Sequence, residues 1–411
     1  MSTKIDHGAA AVVLKDRIDE LAHITDEPGR ITRTFLSPAM ARANDAVGAW
    51  MAAAGFSTSV DTAGNLRGWI EGATPDAPVL LMGSHLDTVR NAGRYDGILG
   101  VLLPIVAIEM LRASGWTPPF SILHFGFSDE EGTRFQAGCL GSKAVVGGLR
   151  KADFVLRDAE GVTLREALER FNGRPYEAPS FPRRRILGFV EVHIEQGPEL
   201  ERLNRSLAVV TGINAQARLR VRFRGEAGHA GTVSMSARRD AFAGLAEFAV
   251  FVERLAKSHK GLVATIGKVE VRPGVGNVIP GLVDFSLDVR HPRDAQVAGV
   301  CDSLEREAMR VCEERGLHCE WKLVDSLAAV EFGAGLTRKL SEAVAATGQP
   351  VVRLRSGAGH DAMVLAKCCE VAMLFVRCRR GLSHHPDEFV ALRDLRQAVK
   401  VFCDFLQRVR P

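Results

Sequence analysis

Residues 79–97 read VLLMGSHLDTVRNAGRYDG, an apolar run that stops at an imidazole, carboxylates and a glycine-bearing loop. Strand side chains alternate between faces, so His85 and Asp87 share one. A carboxylate beside an imidazole is the usual device for fixing a metal-binding tautomer. Taken alone, the stretch is better explained by a histidine that ends a strand and an Asp96 that caps the next helix, so partners elsewhere in the chain must decide. The pattern then recurs. Residues 120–127 run into Ser128-Asp129-Glu130-Glu131-Gly132, and residues 186–192 end in His193-Ile194-Glu195-Gln196. Open α/β sheets keep their sites beyond the ends of such buried strands. Five candidate ligands follow: His85, Asp96, Glu131, His193 and one histidine of Ser383-His384-His385-Pro386. Imidazole and carboxylate without thiolate suit zinc, manganese or a similar divalent ion, and one shared carboxylate holds two ions about 3.5–4 Å apart. Glu130, beside a candidate ligand but facing differently, is placed to take a proton from water that such ions acidify. The implied chemistry is hydrolysis.

The elements that must carry these residues follow from period and punctuation. Ser37-Pro38 opens a helix that closes at Gly55, and short β runs are expected at 57–60 and 66–70. Residues 98–114 are apolar nearly all round, as in a helix packed on a parallel sheet. A shorter helix is expected at 163–171. From Gln216 the pattern becomes clean alternation, and the order over 213–325 is β-α-β-β-α-β, the ferredoxin-like arrangement. A helix at 336–347, a buried strand at 371–376 and a closing helix at 392–409 complete the chain. The fold expected is α/β, with a second domain (213–327) inserted in a first (1–212 and 328–411).

A chain of 411 residues favours two domains. With 46% hydrophobic and 25% charged residues it is globular in composition, and its net charge of +4 with short basic clusters gives no nucleic-acid signature. The eight cysteines form no CxxC pair and read as reduced thiols of a cytoplasmic protein. No signal peptide or membrane span is expected; the longest apolar candidate carries Pro104 and Glu109. Ser84 and Ser383 lie near histidines but in no GxSxG elbow, which argues against a serine nucleophile. His7, His23, His124, His259, His291 and His318 receive no role.

GSHLDTV, GRYDG, SDEEGTRF, VEVHIEQGP, GHAGT, NVIPG, SGAGHDA and GLSHHPDE, in that order, resemble the M20-type metallohydrolases, specifically their amidase (hydantoinase/carbamoylase) branch. Within it, SDEEGTRFQ, SGAGHDAM and MLFVRCRRGLSHHPDE are more similar to allantoate amidohydrolases than to N-carbamoyl-L-amino acid hydrolases or β-ureidopropionases. The resemblance implies a mixed-sheet catalytic domain of the metallo-exopeptidase type, with the inserted ferredoxin-like domain as lid and dimer contact. It implies two divalent ions, Mn²⁺ or Zn²⁺: His85 and His193 on one, Glu131 and His384 on the other, and Asp96 bridging. His384 rather than His385 matches the family pattern. Glu130 would be the general acid/base and Asp87 would orient His85. His229 would reach a partner subunit's site in a homodimer and steady the oxyanion. Gln196, Asn277, Arg290 and His360 would bind a small ureido carboxylate, and Arg290 suits that role because guanidinium grips carboxylate in a planar fork. The family's GHAGTTPM reads GHAGTVSM here, through Val233 and Ser234.

Overall fold

A computed structural model describes residues 6–411, which form two compact units. The first runs to Thr211 and resumes over Phe332–Leu354 and Ala358–Pro411; the second is Gly212–Glu331 with Arg355–Gly357. In chain order the strands are β1 (Ser57–Val60), β2 (Leu66–Ile70), β3 (Val79–His85), β4 (Ser121–Phe127), β5 (Ile186–Ile194) and β6 (Leu207–Ile213). The second unit follows with β7 (Ala215–Arg224), β8 (Val263–Arg272), β9 (Leu282–His291) and β10 (His318–Leu327). The short β11 (Val330–Glu331) and β12 (Arg353–Ser356) precede β13 (Val371–Val376).

In the first unit the sheet order is β1-β2-β4-β3-β5-β13-β6. Neighbours from β4 through β13 run parallel, while β1, β2 and β6 pair antiparallel, so the sheet is mixed as expected. β3, β4 and β13 are buried along their whole length, the mark of strands covered on both faces. Helix Ile98–Ala113 lies on β3 and β5 with twelve buried residues, and fully burying a Leu, Ile or Val there contributes about 1.5–3 kcal/mol. Gly100 allows this approach, because a Cβ there would collide with the Val192 carbonyl and with Ser84. Helices His7–Ala22 and Leu392–Arg408 close the same side. The first of these lies outside the elements expected from sequence; Asp6 caps it through Gly8 and Ala9 N–H, and Leu14, Ile18 and Leu21 supply its buried face.

The second unit has the sheet order β10-β7-β9-β8, antiparallel throughout, which is the ferredoxin-like arrangement. Helices Ala241–Ser258 and Asp294–Glu314 cover one face over Leu219, Val221, Phe223, Phe285 and Leu287, with Phe248 of the first helix packed into the same core. The other face carries the alternate residues. Arg220 and Arg222 converge on Asp284, and Arg222 and Arg224 on Glu320. No helix among the described residues is long and apolar enough to cross a membrane, and all eight cysteines are free thiols.

Candidate metal centre

The candidate ligands meet at the carboxyl ends of parallel strands. His85 is the last residue of β3, and Glu130 and Glu131 follow β4. His193 lies inside β5 rather than beyond it: the strand runs two residues past its expected end because β13 pairs with it as far as Ile194. His384 comes from the loop after β13. Asp96 does not cap the helix that follows it. Gly97 occupies the N-cap at φ 70°, where a Cβ would sit within the His85 ring, so the Asp96 side chain is free to face the cluster.

Each oxygen of Asp96 serves a different group. Oδ1 lies 3.1 Å from His193 Nε2 and 3.6 Å from His85 Nε2. Oδ2 lies 3.3 Å from His384 Nε2, which is also 3.3 Å from Glu131 Oε1. Donor atoms of His85, Asp96 and His193 lie within 4.8 Å of one another, as do those of Asp96, Glu131 and His384. The backbone fixes both tautomers. His85 Nδ1 is 3.0 Å from the Asp87 carbonyl oxygen and His193 Nδ1 is 3.0 Å from that of Ile194, so both rings turn Nε2 inward. The Asp87 carboxylate lies 3.4 Å from His85 Nδ1 and also accepts the N–H of Glu130 (3.0 Å) and Glu131 (3.2 Å). One side chain therefore ties the β3 end to the acidic turn.

The electrostatics call for positive charge. Burial alone would keep His85 neutral, yet Asp87 and Asp96 raise its pKa well above the ordinary value. Burial likewise opposes ionisation of Asp96, but His193, His384 and His85 together hold it well below the usual carboxylate range. Asp96 and Glu131 lift His384 to about 10. Protons on imidazoles here balance buried carboxylates, the task a divalent cation performs, and the donor set fits one. Glu130 differs: burial, with Glu131 and Asp361 adding to it, raises its carboxyl well above normal against the pull of His85. Its donor atom lies within 4.8 Å of those of His85 and Glu131, and Oε1 is 3.8 Å from Cys139 Sγ.

Gln196 and His360 also reach this cluster. Gln196 Nε2 donates to Asp96 Oδ2 (3.0 Å) and to Ser383 Oγ (3.1 Å), and the Ser383 hydroxyl donates to the same Asp96 oxygen. His360 is buried with its ring 4.5 Å from that of His193; burial, then the neighbouring His193, keep it neutral. His385 is half-exposed and turned to Asp387. His229, Asn277 and Arg290 belong to the second unit. There the Ala230 N–H donates to the Asn277 carbonyl (2.9 Å), which brings the GHAGT and NVIPG segments together, and His229 Nδ1 accepts the Gly231 N–H. The departure at Val233 and Ser234 leaves an ordered loop, since Arg238 donates to the carbonyls of Ala230 and Val233.

Sequence reasoning missed two buried carboxylates. Glu388 accepts the N–H of Tyr95 (2.7 Å) and of Asp96 (3.1 Å), and so holds the backbone of the shared ligand. Glu191 accepts Ser84 Oγ (2.7 Å) and the Ala362 N–H (3.0 Å), with a donor atom within 4.8 Å of those of His193 and His360. A glutamate inside a strand as apolar as β5 was a usable signal; Glu388 in HHPDE resembled a surface acid.

Residues 81–408 match the family described as Peptidase family M20/M25/M40. Allantoate deiminase of Arabidopsis thaliana is 37% identical, over 98% of this chain and 83% of its own length. An N-carbamoyl-L-amino acid amidohydrolase of Geobacillus stearothermophilus is 36% identical, over 93% of this chain and 94% of its own. The crystal structure of a hydantoinase/carbamoylase family amidase from Burkholderia multivorans is similar with a TM-score of 0.89, at 32% identity, covering 99% of this chain and 98% of that one.

Proposed function

The chain belongs to peptidase family M20/M25/M40 and is a hydrolase of carbon–nitrogen bonds other than peptide bonds, and from that premise we propose that it cleaves the terminal ureido group of allantoate. Allantoate and water would give ureidoglycine, ammonia and carbon dioxide, a step of purine breakdown in the cytoplasm. The observation that carries the reading is Asp96, with one oxygen toward His85 and His193, the other toward His384, and Glu130 beside both groups yet bonded to neither. Likeness to allantoate deiminase over nearly the whole chain supports the substrate.

Two ions, Mn²⁺ or Zn²⁺, would be held by His85, His193 and Asp96 and by Glu131, His384 and Asp96. When bound they supply polarisation of the ureido carbonyl and acidification of water. Glu130, with a carboxylate oxygen within 4.8 Å of the donor atoms of His85 and Glu131, would take the proton of the attacking water and return it to the leaving nitrogen. Asp87 keeps Glu130 in place through its N–H and His85 through its ring. Gln196, His360, Asn277 and Arg290 bind the carboxylate and ureido groups. The partner subunit's His229 steadies the developing oxyanion in a homodimer, with the second unit as lid.

The second reading is hydrolysis of an N-carbamoyl-L-amino acid or β-ureido acid on the same site, favoured by the N-carbamoyl-L-amino acid amidohydrolase that is 36% identical over 93% of the chain. Ammonia release from allantoate and from a panel of N-carbamoyl-L-amino acids, by Mn²⁺- or Zn²⁺-loaded protein against a chelated control, separates the two. Metal-dependent release from allantoate is expected; release from carbamoyl amino acids alone would move the substrate and keep the site.

A further inference from the structure

Asp288 and Arg290 stand two residues apart on β9 and therefore share the face of the sheet that no helix of the unit covers. Asp288 grips one edge of the guanidinium: Arg290 Nε donates to Oδ1 at 2.7 Å and Nη2 to Oδ2 at 3.0 Å. Nη1 donates to the Gly357 carbonyl at 2.7 Å. A guanidinium has five N–H donors, so these bonds leave one on each terminal nitrogen. Asp288 is braced in turn from β7. Gln216 pairs with Arg290 and Arg218 with Asp288 across the two strands. Gln216 Nε2 donates to Asp288 Oδ2, and Arg218 Nε lies 3.5 Å from the same oxygen. The Arg290 side chain keeps 27% of its surface exposed, enough to meet a ligand.

We propose that Asp288 is the positioning residue of the carboxylate clamp: it fixes the plane of Arg290 so that the two uncommitted donors, one per terminal nitrogen, meet the two oxygens of a substrate carboxylate. The inference rests on the reading of Arg290 as the carboxylate-binding residue. Its physical basis is preorganisation. An unbraced arginine must freeze several rotatable bonds when it binds, whereas one held by its side edge has lost that freedom in advance. Selectivity follows, because the remaining donors match a planar carboxylate and give a carboxamide, with its N–H₂ on one side, only half the match.

The test is steady-state kinetics on allantoate and N-carbamoyl-L-alanine and on the carboxamide of each, for the metal-loaded wild type, Asp288→Asn, Asp288→Glu and Arg290→Ala. Asp288→Asn is expected to raise KM for the carboxylates about tenfold, to move kcat less than about twofold, and to leave the carboxamides unchanged. Asp288→Glu should recover part of the loss. An unchanged or lower KM in Asp288→Asn, with Arg290→Ala still raising it, overturns the positioning role and keeps the clamp. An Arg290→Ala enzyme with normal KM overturns the clamp itself. If Asp288→Asn does not fold, Gln216→Leu, which removes only the brace of Asp288, should raise KM in the same direction by about threefold; no change there counts against the proposal.

Discussion

In the first unit the inward-facing ring nitrogens of His85 and His193 are each aimed by a main-chain carbonyl, and the shared carboxylate sits on a backbone held by Glu388; in the second, Arg290 is aimed by the Asp288 side chain together with the Gly357 carbonyl, and His229 by its own loop. The donors His85, Asp96 and His193 are buried at the ends of parallel strands, while His229 and Asn277 are exposed. Groups anchored on the main chain keep their positions to within a fraction of an ångström, as bond-making chemistry requires, whereas a group held by a side chain is only as fixed as that side chain, which is why Asp288 needs its own brace from Gln216. A substitution among the candidate ligands of the first unit or the groups that hold them should therefore strike rate or metal affinity, and one around Arg290 in the second should strike KM.

The largest expected effect tests the first half of that contrast. Glu130→Gln keeps the volume of the side chain and removes its basicity, so kcat should fall by about 10³-fold or more while bound metal, measured by atomic emission, is retained. Near-normal turnover in that variant would sink the general acid/base role.

Glu388 sharpens the comparison because its hydrogen bonds reach the centre through the Tyr95 and Asp96 N–H groups rather than through a ligand side chain. Glu388→Ala is expected to weaken metal binding by about 10- to 100-fold, read by calorimetry on the metal-free protein. Glu388→Gln keeps an acceptor oxygen and should lose much less. Equal losses would mean that its charge, rather than its hold on the Asp96 backbone, is what matters.

Much of the candidate metal centre was legible because buried apolar strands led into imidazole and carboxylate in three separate places. The helix Ile98–Ala113 and the ferredoxin-like alternation were legible by period. What escaped was tertiary. Glu388 contacts Asp96 from 292 residues away, and its sequence surroundings resembled a solvated turn. The end of β5 depended on how far β13 runs beside it, which no local pattern encodes. Asp288, two residues from Arg290, belonged to an alternation of charges that reads as an exposed face. Helix His7–Ala22 carried the signal at Leu14, Ile18 and Leu21, but the unbroken apolar patch at 9–14 that precedes its charged residues hid the helical period.

A smaller effect is expected from Gly100, where helix and sheet touch. Gly100→Ala puts a methyl group into the Val192 carbonyl, one residue before His193. Overpacking of this kind costs about 1–3 kcal/mol, so the melting temperature should fall. Because the shift falls on the strand that carries a ligand, metal affinity should fall with it. A lower melting temperature with unchanged metal affinity would show that β5 absorbs the strain without moving His193, and would weaken the claim that the centre is held by its backbone.

The smallest effect lies on the charged face of the second unit. Hydrogen bonds from Arg220, then Arg222, hold the Asp284 carboxyl at about 2, below its unfolded value of 3.8. A depressed acid stabilises the folded state above its unfolded pKa, and that stabilisation is lost as the pH falls toward the folded one. Wild type should therefore be slightly more stable than Asp284→Asn at pH 7, with the difference shrinking between about pH 4 and pH 2 and gone below that, as read from urea unfolding at stepped pH. KM for the carboxylate substrate should hardly change, since Asp284 neighbours neither Arg290 nor Asp288 among its hydrogen-bond partners. A KM shift as large as that of Asp288→Asn would mean that the face responds as one charge network, and that Asp288 has no special hold on Arg290.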